Sequence, residues 1–494
     1  MTEQQSDPRH LETLDRDLAR FSNLETATSI VARPMVGMGI SFLFVVLAGI
    51  VAMLFFGQEN NTLIVVVAAC LGAYMALNIG ANDVANNMGP AVGANALSMG
   101  GAIGIAIIFE SAGALLAGGD VVSTIAKGII APESMGTASV FVWAMMSALL
   151  SAALWVNLAT WIGAPVSTTH SVVGGVMGAG IAAAGFAAVN WPTMGTIAAS
   201  WVISPVLGGA IAALFLWLIK SRIIYRDDKI AAARKWVPVL VGIMAGTFAS
   251  YLALKGLKKI IKIDLPTALM IGAAIGLLVW LVMIPLIRKQ SEGLENRNKS
   301  LKVLFGIPLV VSAALLSFAH GANDVANAVG PLAAIVQASQ SGNFTHAVSI
   351  PFWVMVIGAF GISFGLFLFG PKLIRMVGGQ ITKLNPMRAY CVALSAAITV
   401  IIASWLGLPV SSTHIAVGAV FGVGFFREWD AERRSRMARL TIPERAIYAP
   451  EERRRRKLVR RSHFMTIIAA WIITVPAAAI LSASIFFLIN TSIG

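Results

Sequence analysis

The sequence predicts an all-α, polytopic membrane protein of about 10–12 transmembrane helices, arranged in two inverted repeats with broken or re-entrant helices. Three observations lead to this fold class. Hydrophobic residues make up 57% of the 494 residues, and charged residues only 12%. Many uninterrupted apolar runs reach the roughly 20 residues that a membrane-spanning helix needs. Two polar motifs each occur twice, in the same order, once in each half of the chain.

The apolar runs are too long and too numerous for a soluble protein, which could not bury so much hydrocarbon. In chain order the clearest runs are Pro34–Phe56, Thr62–Ile79, Val140–Ile162, Ile197–Ile219, Trp236–Leu254, Leu265–Ile287, Val303–Phe318, Val348–Phe369, Ala389–Leu408 and Thr466–Ile489. The two cysteines, Cys70 and Cys391, both lie in such segments. We therefore interpret them as small core residues rather than as a disulfide.

The net charge of +14 comes mostly from basic residues in loops, a pattern typical of cytoplasmic loops in membrane proteins rather than of nucleic-acid binding. The loop at Gly57–Asn61 has no Lys or Arg, whereas the matching segment Arg288–Lys302 has five. The loop at Ile181–Gly195 has none, whereas Arg427–His463 has thirteen. Because charge-poor loops of the first half match basic segments of the second, we expect the halves to have opposite orientations.

The spacing between the repeated motifs defines the domain organisation. The first motif recurs after 241 positions and the second after 244, whereas Trp471 follows Trp201 by 270 because an Arg-rich segment intervenes. The predicted parts are a polar N-terminal tail at 1–33, a first transmembrane repeat at 34–219, a cytoplasmic loop with an inter-repeat helix at 220–265, and a second transmembrane repeat at 266–494 that includes an Arg-rich cytoplasmic insertion at 427–463.

The first repeated motif is Gly-Ala-Asn-Asp-Val-Ala-Asn, which begins at Gly80 and again at Gly321 and is followed each time by Gly-Pro. An Asp between two Asn residues in an apolar run indicates a functional site, and the nearby Gly and Pro suggest an interrupted helix. Carboxylate, amide and backbone oxygens suit an alkali cation or a proton. The alternative is a buried Asp that only caps a broken helix. The candidate cation-coupling residues are Asn82, Asp83, Asn86, Asn323, Asp324 and Asn327.

The second repeated motif is a cluster of hydroxyl side chains that begins two residues after Pro165 and again after Pro409. Proline followed by Ser or Thr and a Gly-rich apolar run is typical of a helix start, whose free N–H groups attract anions. Ordinary helix capping is the alternative. The histidine that ends each cluster, His170 or His414, could orient a substrate or only fix the turn. The candidate anion-binding residues are Ser167, Thr168, Thr169, Ser411, Ser412 and Thr413.

Two ionisable residues of the apolar segments, Glu110 and His320, occur in one copy only. Their positions in the other half correspond approximately to Ile362 and Ile79. An unpaired acid within a spanning helix indicates a coupling or gating role, and packing is the equally weighted alternative.

The residues Ser, His and Asp also raise the question of a hydrolase. The sequence has no nucleophile elbow, and the repeat duplicates all three residue types, which catalysis does not require. We therefore expect no enzyme activity. An anion channel is a further alternative, but channels often use charged rings that this sequence does not show.

The blocks GANDVANNMGP and GANDVANAVGP, each followed by Pro-Val-Ser-(Ser/Thr)-Thr-His, resemble the inorganic phosphate transporter (PiT) family over about residues 62–220 and 303–490. This resemblance implies a secondary transporter with inverted repeats that moves phosphate with Na⁺ or H⁺. It implies that the six Asn and Asp residues of the first motif couple the cation, with Asp83 and Asp324 as Na⁺ ligands if sodium is used, and that the six hydroxyl residues hold phosphate. One departure is Asn87, where the second copy has Ala328.

From these observations we expect a cell-membrane protein, of the bacterial inner-membrane type, that imports inorganic phosphate by symport through alternating access. A sulfate symporter is the first alternative, since some relatives carry sulfate. The expected partners are phosphate, Na⁺ or H⁺ and the lipid bilayer, with no cofactor beyond the coupling ion; a homodimer is left open.

Overall fold

The computed structural model describes residues 35–57, 61–162, 166–256, 263–341, 350–380, 384–441 and 461–493. In chain order the helices, numbered α1 to α15, are Met35–Phe56, Thr62–Gly93, Met99–Ala117, Gly119–Ser123, Ala138–Ile162, Thr168–Ala184, Trp191–Ile219, Lys229–Lys255, Leu265–Gln290, Asn298–Leu304, Gly306–Ser341, Phe352–Gln380, Pro386–Trp405, Ser412–Thr441 and Arg461–Ile493. The only β-structure in the described ranges is one bridge between Ile130 and Val189.

The all-α membrane class is confirmed. Eleven of the described helices are long and apolar enough to cross a membrane. Helix α9 shows why the bilayer is their solvent, because Leu269, Leu277 and Leu281 are each more than half exposed along it. Such a face would be unstable in water but is well solvated by lipid chains.

The sequence repeat is also a repeat of helix packing. Helix α2 packs against α12, and α11 packs in the same way against α3. The closest approach in the first pair is at Gly80, where an added Cβ would lie 1.9 Å from the carbonyl oxygen of Ile362; at Gly321 it would lie 2.1 Å from that of Glu110. The missing side chain therefore lets two helix backbones touch at equivalent positions. The opposite orientation of the two halves stays a prediction.

The expected interruption of the helix at the first motif is wrong. Helices α2 and α11 run without a break through both copies, with Pro90 and Pro331 inside them. The physical reason is that Gly80 and Gly321 serve close helix packing, so glycine at these positions does not indicate a break.

The re-entrant geometry instead occurs at the second motif. Helix α5 ends at Ile162 and packs on α6, which begins at Thr168, and α13 and α14 pack on each other in the same way. Ser167 and Ser411, at the two turns, are 2% and 3% exposed. The starts of α6 and α14 therefore lie inside the protein, next to α2 and α11, whereas α5 and α13 end in exposed side chains, Trp161 and Trp405.

The Arg-rich segment predicted as an insertion at 427–463 is helical at its start, because α14 continues to Thr441. Charged residues with high helix propensity allow α14 to extend beyond its apolar part. Residues 442–460 of this segment lie outside the described residues, as does the predicted N-terminal tail at 1–33, and the last three residues of the segment begin α15.

Candidate functional site

Two helix N-termini, those of α6 and α14, meet at the centre of the site. The hydroxyl oxygen of Ser167 accepts a hydrogen bond from the backbone N–H of His170 at 3.1 Å, and Ser411 does the same for His414 at 3.3 Å. Both serines are thus helix caps, as the sequence predicted. The remaining N–H groups of each first turn and the positive dipole ends favour an anion.

Asp83 lies between the two hydroxyl clusters. Its Oδ2 accepts a hydrogen bond from Thr168 at 3.0 Å, and its Oδ1 accepts one from Thr413, also at 3.0 Å. Asn82 and Asn86 donate to Oδ1 at 3.1 and 3.4 Å. The carboxylate is 1% exposed. Hydrogen bonds from both halves of the chain therefore satisfy one buried carboxylate.

Asp324 occupies the equivalent position with fewer donors. Its Oδ2 accepts from Ser412 at 3.2 Å and lies 2.8 Å from Nε2 of His320. The amide nitrogen of Asn327 donates to Thr169 at 3.1 Å. The other oxygens, Oδ1 of Asp324 and Oδ1 of Asn327, are buried and accept no hydrogen bond in the described part of the chain. Buried acceptors without donors are what a bound cation or proton would satisfy.

The first asparagine of each motif holds a hairpin turn. Asn82 donates to the carbonyl of Val166 at 3.0 Å. Asn323 donates to the carbonyl of Leu408 at 3.1 Å and accepts from the backbone N–H of Val410 at 3.2 Å. These two side chains thus fix the hairpin tips, a role that the sequence alone did not show.

The single-copy ionisable residues join the same cluster. Nδ1 of His320 lies 3.4 Å from Glu110, while its Nε2 faces Asp324. Nε2 is also 3.8 Å from Asp83. One atom from each of Asp83, His320 and Asp324 can be chosen so that all three lie within 4.8 Å of one another. A histidine therefore bridges the carboxylates of both motifs.

Asn87, the departure between the motif copies, belongs to this network. Its amide donates to Oε1 of Glu110 at 2.8 Å. The equivalent positions in the other half, Ile79, Ile362 and Ala328, are buried in one shared hydrophobic cluster. One set of equivalent positions thus forms a polar triad, Asn87, Glu110 and His320, whereas the other set is apolar. Each of these three residues stands out in the sequence, but no sequence pattern indicates that they are in contact.

The rings of the two repeated histidines lie close together, tilted at 46° to each other, behind the hairpin tips. The ring centroids of His170 and His414 are 4.4 Å apart, and His170 lies 3.7 Å from the ring of Trp201. Trp201 donates to the carbonyl of Pro409 at 3.0 Å, and Nδ1 of His170 lies 2.7 Å from the hydroxyl of Ser167. The turn-fixing interpretation therefore fits His170. The role of Trp201 was missed, and only its recurrence at Trp471 hinted at it.

The site thus combines two anion-attracting helix starts with carboxylates that a cation could neutralise. A model of the phosphate transporter family matches residues 79–482, which include both copies of both motifs. The chain belongs to the phosphate transporter family.

Its relatives in this family are similar over most of their length. A Helicobacter pylori protein named "Putative phosphate permease" is 46% identical over 523 residues, which cover 95% of this chain and 98% of the relative. A Pyrococcus abyssi relative with a name of the same kind is 36% identical over 84% of this chain and 95% of its own. This phosphate transporter family member is accordingly a multi-pass protein of the cell membrane.

A solved structure shares the fold. The structure described as "The sodium-dependent phosphate transporter" superposes with a TM-score of 0.78 at 35% identity, over 87% of this chain and 100% of that one. The family and the fold are those of a transporter rather than of an enzyme.

Proposed function

We propose that this family member imports inorganic phosphate by symport with Na⁺ or H⁺ through alternating access. The observation that carries the proposal is that Asp83 accepts hydrogen bonds from Thr168 and Thr413, one from each hydroxyl cluster. The helix starts from the two halves therefore converge on one carboxylate, where an anion and its counter-ion could be enclosed together.

Phosphate would bind between the N-termini of α6 and α14. The hydroxyls of Ser167 and Ser411 and the free N–H groups of both helices would donate to it, whereas Thr168 and Ser412 already donate to Asp83 and Asp324. No Lys or Arg is among the buried polar residues of the described ranges. Because an uncompensated dianion is costly to bury, a co-bound cation is needed to balance it.

The cation would bind on the carboxylate side of this site. Asp324 and Asn327 each offer a buried oxygen without a donor, and Asp83 lies across from them. An oxygen-rich set suits Na⁺, and the name of the structural neighbour supports sodium. A proton shared by His320 and the carboxylates is the alternative for the same atoms.

Sulfate is the second candidate substrate. Phosphate near neutral pH keeps a P–OH donor, whereas sulfate has none. An acceptor oxygen that faces the anion would therefore favour phosphate over sulfate. The names of the relatives also support phosphate.

Alternating access is supported by the arrangement of the hairpins. Each hairpin tip is held by one motif helix, α5–α6 by Asn82 and α13–α14 by Asn323. Movement of one hairpin would open the enclosed site to one side while the other hairpin keeps it closed.

The test is uptake of radiolabelled phosphate into proteoliposomes, with Na⁺ and pH gradients imposed separately. We expect accumulation against the phosphate gradient with one of the two driving ions and its collapse with an ionophore for that ion. Downhill flux that ignores both gradients would indicate a channel, and competition by excess sulfate equal to that by phosphate would indicate a sulfate symporter.

A further inference from the structure

A cavity of about 810 Å³ lies beside the site, between α1, α2, α5 and α12, and is lined mostly by apolar side chains. Its lining also includes Asn78, Asn157, Thr160 and Lys372. Among the described lining residues, Lys372 carries the one charged side chain. Polar groups within a membrane-spanning region are retained at a cost, so they indicate function or a water-filled space.

The cavity reaches to within one side chain of the buried site. Thr160, in its wall, donates to Oδ1 of Asn82 at 3.3 Å. Asn82 in turn donates to Asp83 at 3.1 Å and to the carbonyl of Val166 at the hairpin tip. Asn157 donates to Asn78 at 3.1 Å and is itself exposed, so its side chain faces the open part of the cavity.

In the described part of the other half, the matching positions are apolar. The positions equivalent to Asn78 and Asn157, taken from the motif offsets of 241 and 244, are Ala319 and Ile401. There, α8 fills the space. Phe248 packs edge-on against Phe318 with ring centroids 5.0 Å apart, and Ile401 packs against the same cluster. The polar residues that line the cavity are therefore specific to one half and do not follow from the repeat itself.

We propose that this cavity is an aqueous vestibule through which phosphate exchanges with the buried site, with Lys372 as the cation that attracts it. The inference rests on the proposed phosphate transport. A lysine ammonium is a compact charge suited to a phosphate oxygen, and the amides of Asn157 and Asn78 offer further donors. Free phosphate and a lipid phosphate group share this chemistry. The path through Thr160 and Asn82 toward Asp83 favours free phosphate.

The kinetic test compares Lys372→Gln with Lys372→Arg in proteoliposomes. We expect the Gln variant to raise KM for phosphate about three- to tenfold with the maximal rate unchanged, and added salt to narrow its difference from wild type, because a surface charge acts at a distance that salt screens. The Arg variant should keep the wild-type KM. Lys289→Gln, at an exposed lysine of α9 away from the cavity, is the matched control.

An unchanged KM in Lys372→Gln, with active wild-type protein, would overturn the vestibule and leave phosphate transport standing. Inactive wild-type protein under every gradient would instead contradict the proposed function, and the cavity would then be tested by labelling alone.

The labelling test places a cysteine at Asn157 and, as control, at Leu158, in a Cys70→Ser background. The remaining Cys391 is fully buried. Leu158 is 48% exposed on the same helix but does not line the cavity, so it should face lipid. We expect a charged methanethiosulfonate reagent to modify the cysteine at 157 and not the one at 158, and phosphate to slow the reaction.

Three results of the labelling test would count against the vestibule. Equal reaction at both positions would show no distinct aqueous space. Absence of reaction at 157 would show that the cavity holds lipid. Protection by a short-chain anionic phospholipid but not by inorganic phosphate would assign the cavity to a lipid headgroup.

Discussion

Thr413 of α14 donates a hydrogen bond to Oδ1 of Asp83 on α2 at 3.0 Å, across 330 positions of sequence. The same hydroxyl accepts a hydrogen bond from Asn86 at 2.8 Å. Thr169 makes the equivalent contact with Asn327 in the other half, at 3.1 Å. Each hydroxyl cluster is thus bound to the motif helix of the opposite half, so neither half can form the site alone.

Removal of this cross-half hydroxyl should impair transport more than folding. We expect Thr413→Ala to lower kcat/KM for phosphate roughly ten- to hundredfold, because a hydrogen bond to a charged group contributes about 1.5–3 kcal/mol. Thr413→Ser keeps the hydroxyl and should stay within about threefold of wild type by the same estimate. Initial uptake rates measured over a range of phosphate concentrations check this. Equal loss in both variants would mean that the methyl group, not the hydroxyl, matters.

The two motif carboxylates should be required for coupling. We expect Asp83→Asn and Asp324→Asn each to abolish ion-driven uptake, because a neutral amide neither balances a cation nor accepts a proton. Folding should survive, since the amide keeps the shape and one acceptor oxygen. Uptake and size-exclusion profiles measure the two effects. Glu133→Gln, at an exposed carboxylate, is the matched control. Full uptake by both Asp variants would refute the assignment.

The Asn87–Glu110 pair should act as a unit. Asn87 donates to Glu110 at 2.8 Å, and both residues are buried. We expect Asn87→Ala and Glu110→Gln each to reduce uptake, and the double variant to lose little more than the worse single one, because residues in one network are not additive. The measurement is a double-mutant cycle on initial rates. Simple addition of the two losses would show that the residues act independently.

The sequence predicted the membrane class, and it also singled out the residues that the structure brings together, because both depend on residue type. The length of an apolar run is enough to predict a membrane-spanning helix. An Asp within such a run, or a hydroxyl cluster before a Gly-rich run, can be recognised directly in the sequence. The position of the helix break could not be predicted in the same way. A glycine such as Gly80 can either break a helix or allow another backbone to approach it. The structure shows the second role, because the carbonyl of Ile362 lies against Gly80.

Contacts between residues that are far apart in the chain could also not be predicted from the sequence. Asn87, Glu110 and His320 each stood out as departures from the repeat, but no periodicity links α2, α3 and α11. Their contact depends on the packing of three helices. Nothing in the sequence distinguishes Thr160 either, and its role becomes clear only from its hydrogen bond to Asn82 in the structure.

Glycine at the close helix approach should be required for stability. An alanine Cβ at Gly321 would lie 2.1 Å from the carbonyl oxygen of Glu110. Because this oxygen belongs to the backbone, only a shift of α3 could relieve the clash. We expect Gly321→Ala to lower the thermal midpoint in detergent and the folded yield, since overpacking costs about 1–3 kcal/mol. Gly89→Ala, with no atom within 4 Å of its added Cβ, is the control within the other motif helix. Similar midpoints for the two variants would contradict this packing.

Asp430 joins the end of the first half to α14. Its Oδ2 lies 2.7 Å from Nζ of Lys220 and accepts a hydrogen bond from the hydroxyl of Tyr225, while Arg434 lies 3.8 Å from its Oδ1. Burial opposes ionisation of this carboxyl, but the hydrogen bonds from Lys220 and Tyr225 outweigh it and hold the pKa of Asp430 below its ordinary value of 3.8. The ionised carboxylate therefore stabilises the folded state.

Because the folded pKa of Asp430 is lowered, its contribution to stability is fully present above about pH 4 and is lost as the pH falls through the folded value. We expect Asp430→Asn to lower the thermal midpoint at pH 7, by an effect of about 1–3 kcal/mol for a charged hydrogen-bonded group. The difference from wild type should stay constant between pH 7 and pH 5 and shrink below about pH 4, where the wild-type carboxyl also becomes neutral. Glu432→Gln, at an exposed acid of the same helix, should show no difference at any pH. A difference for Asp430→Asn that persists unchanged at low pH would mean that side-chain shape, not charge, holds α14 to the end of α7.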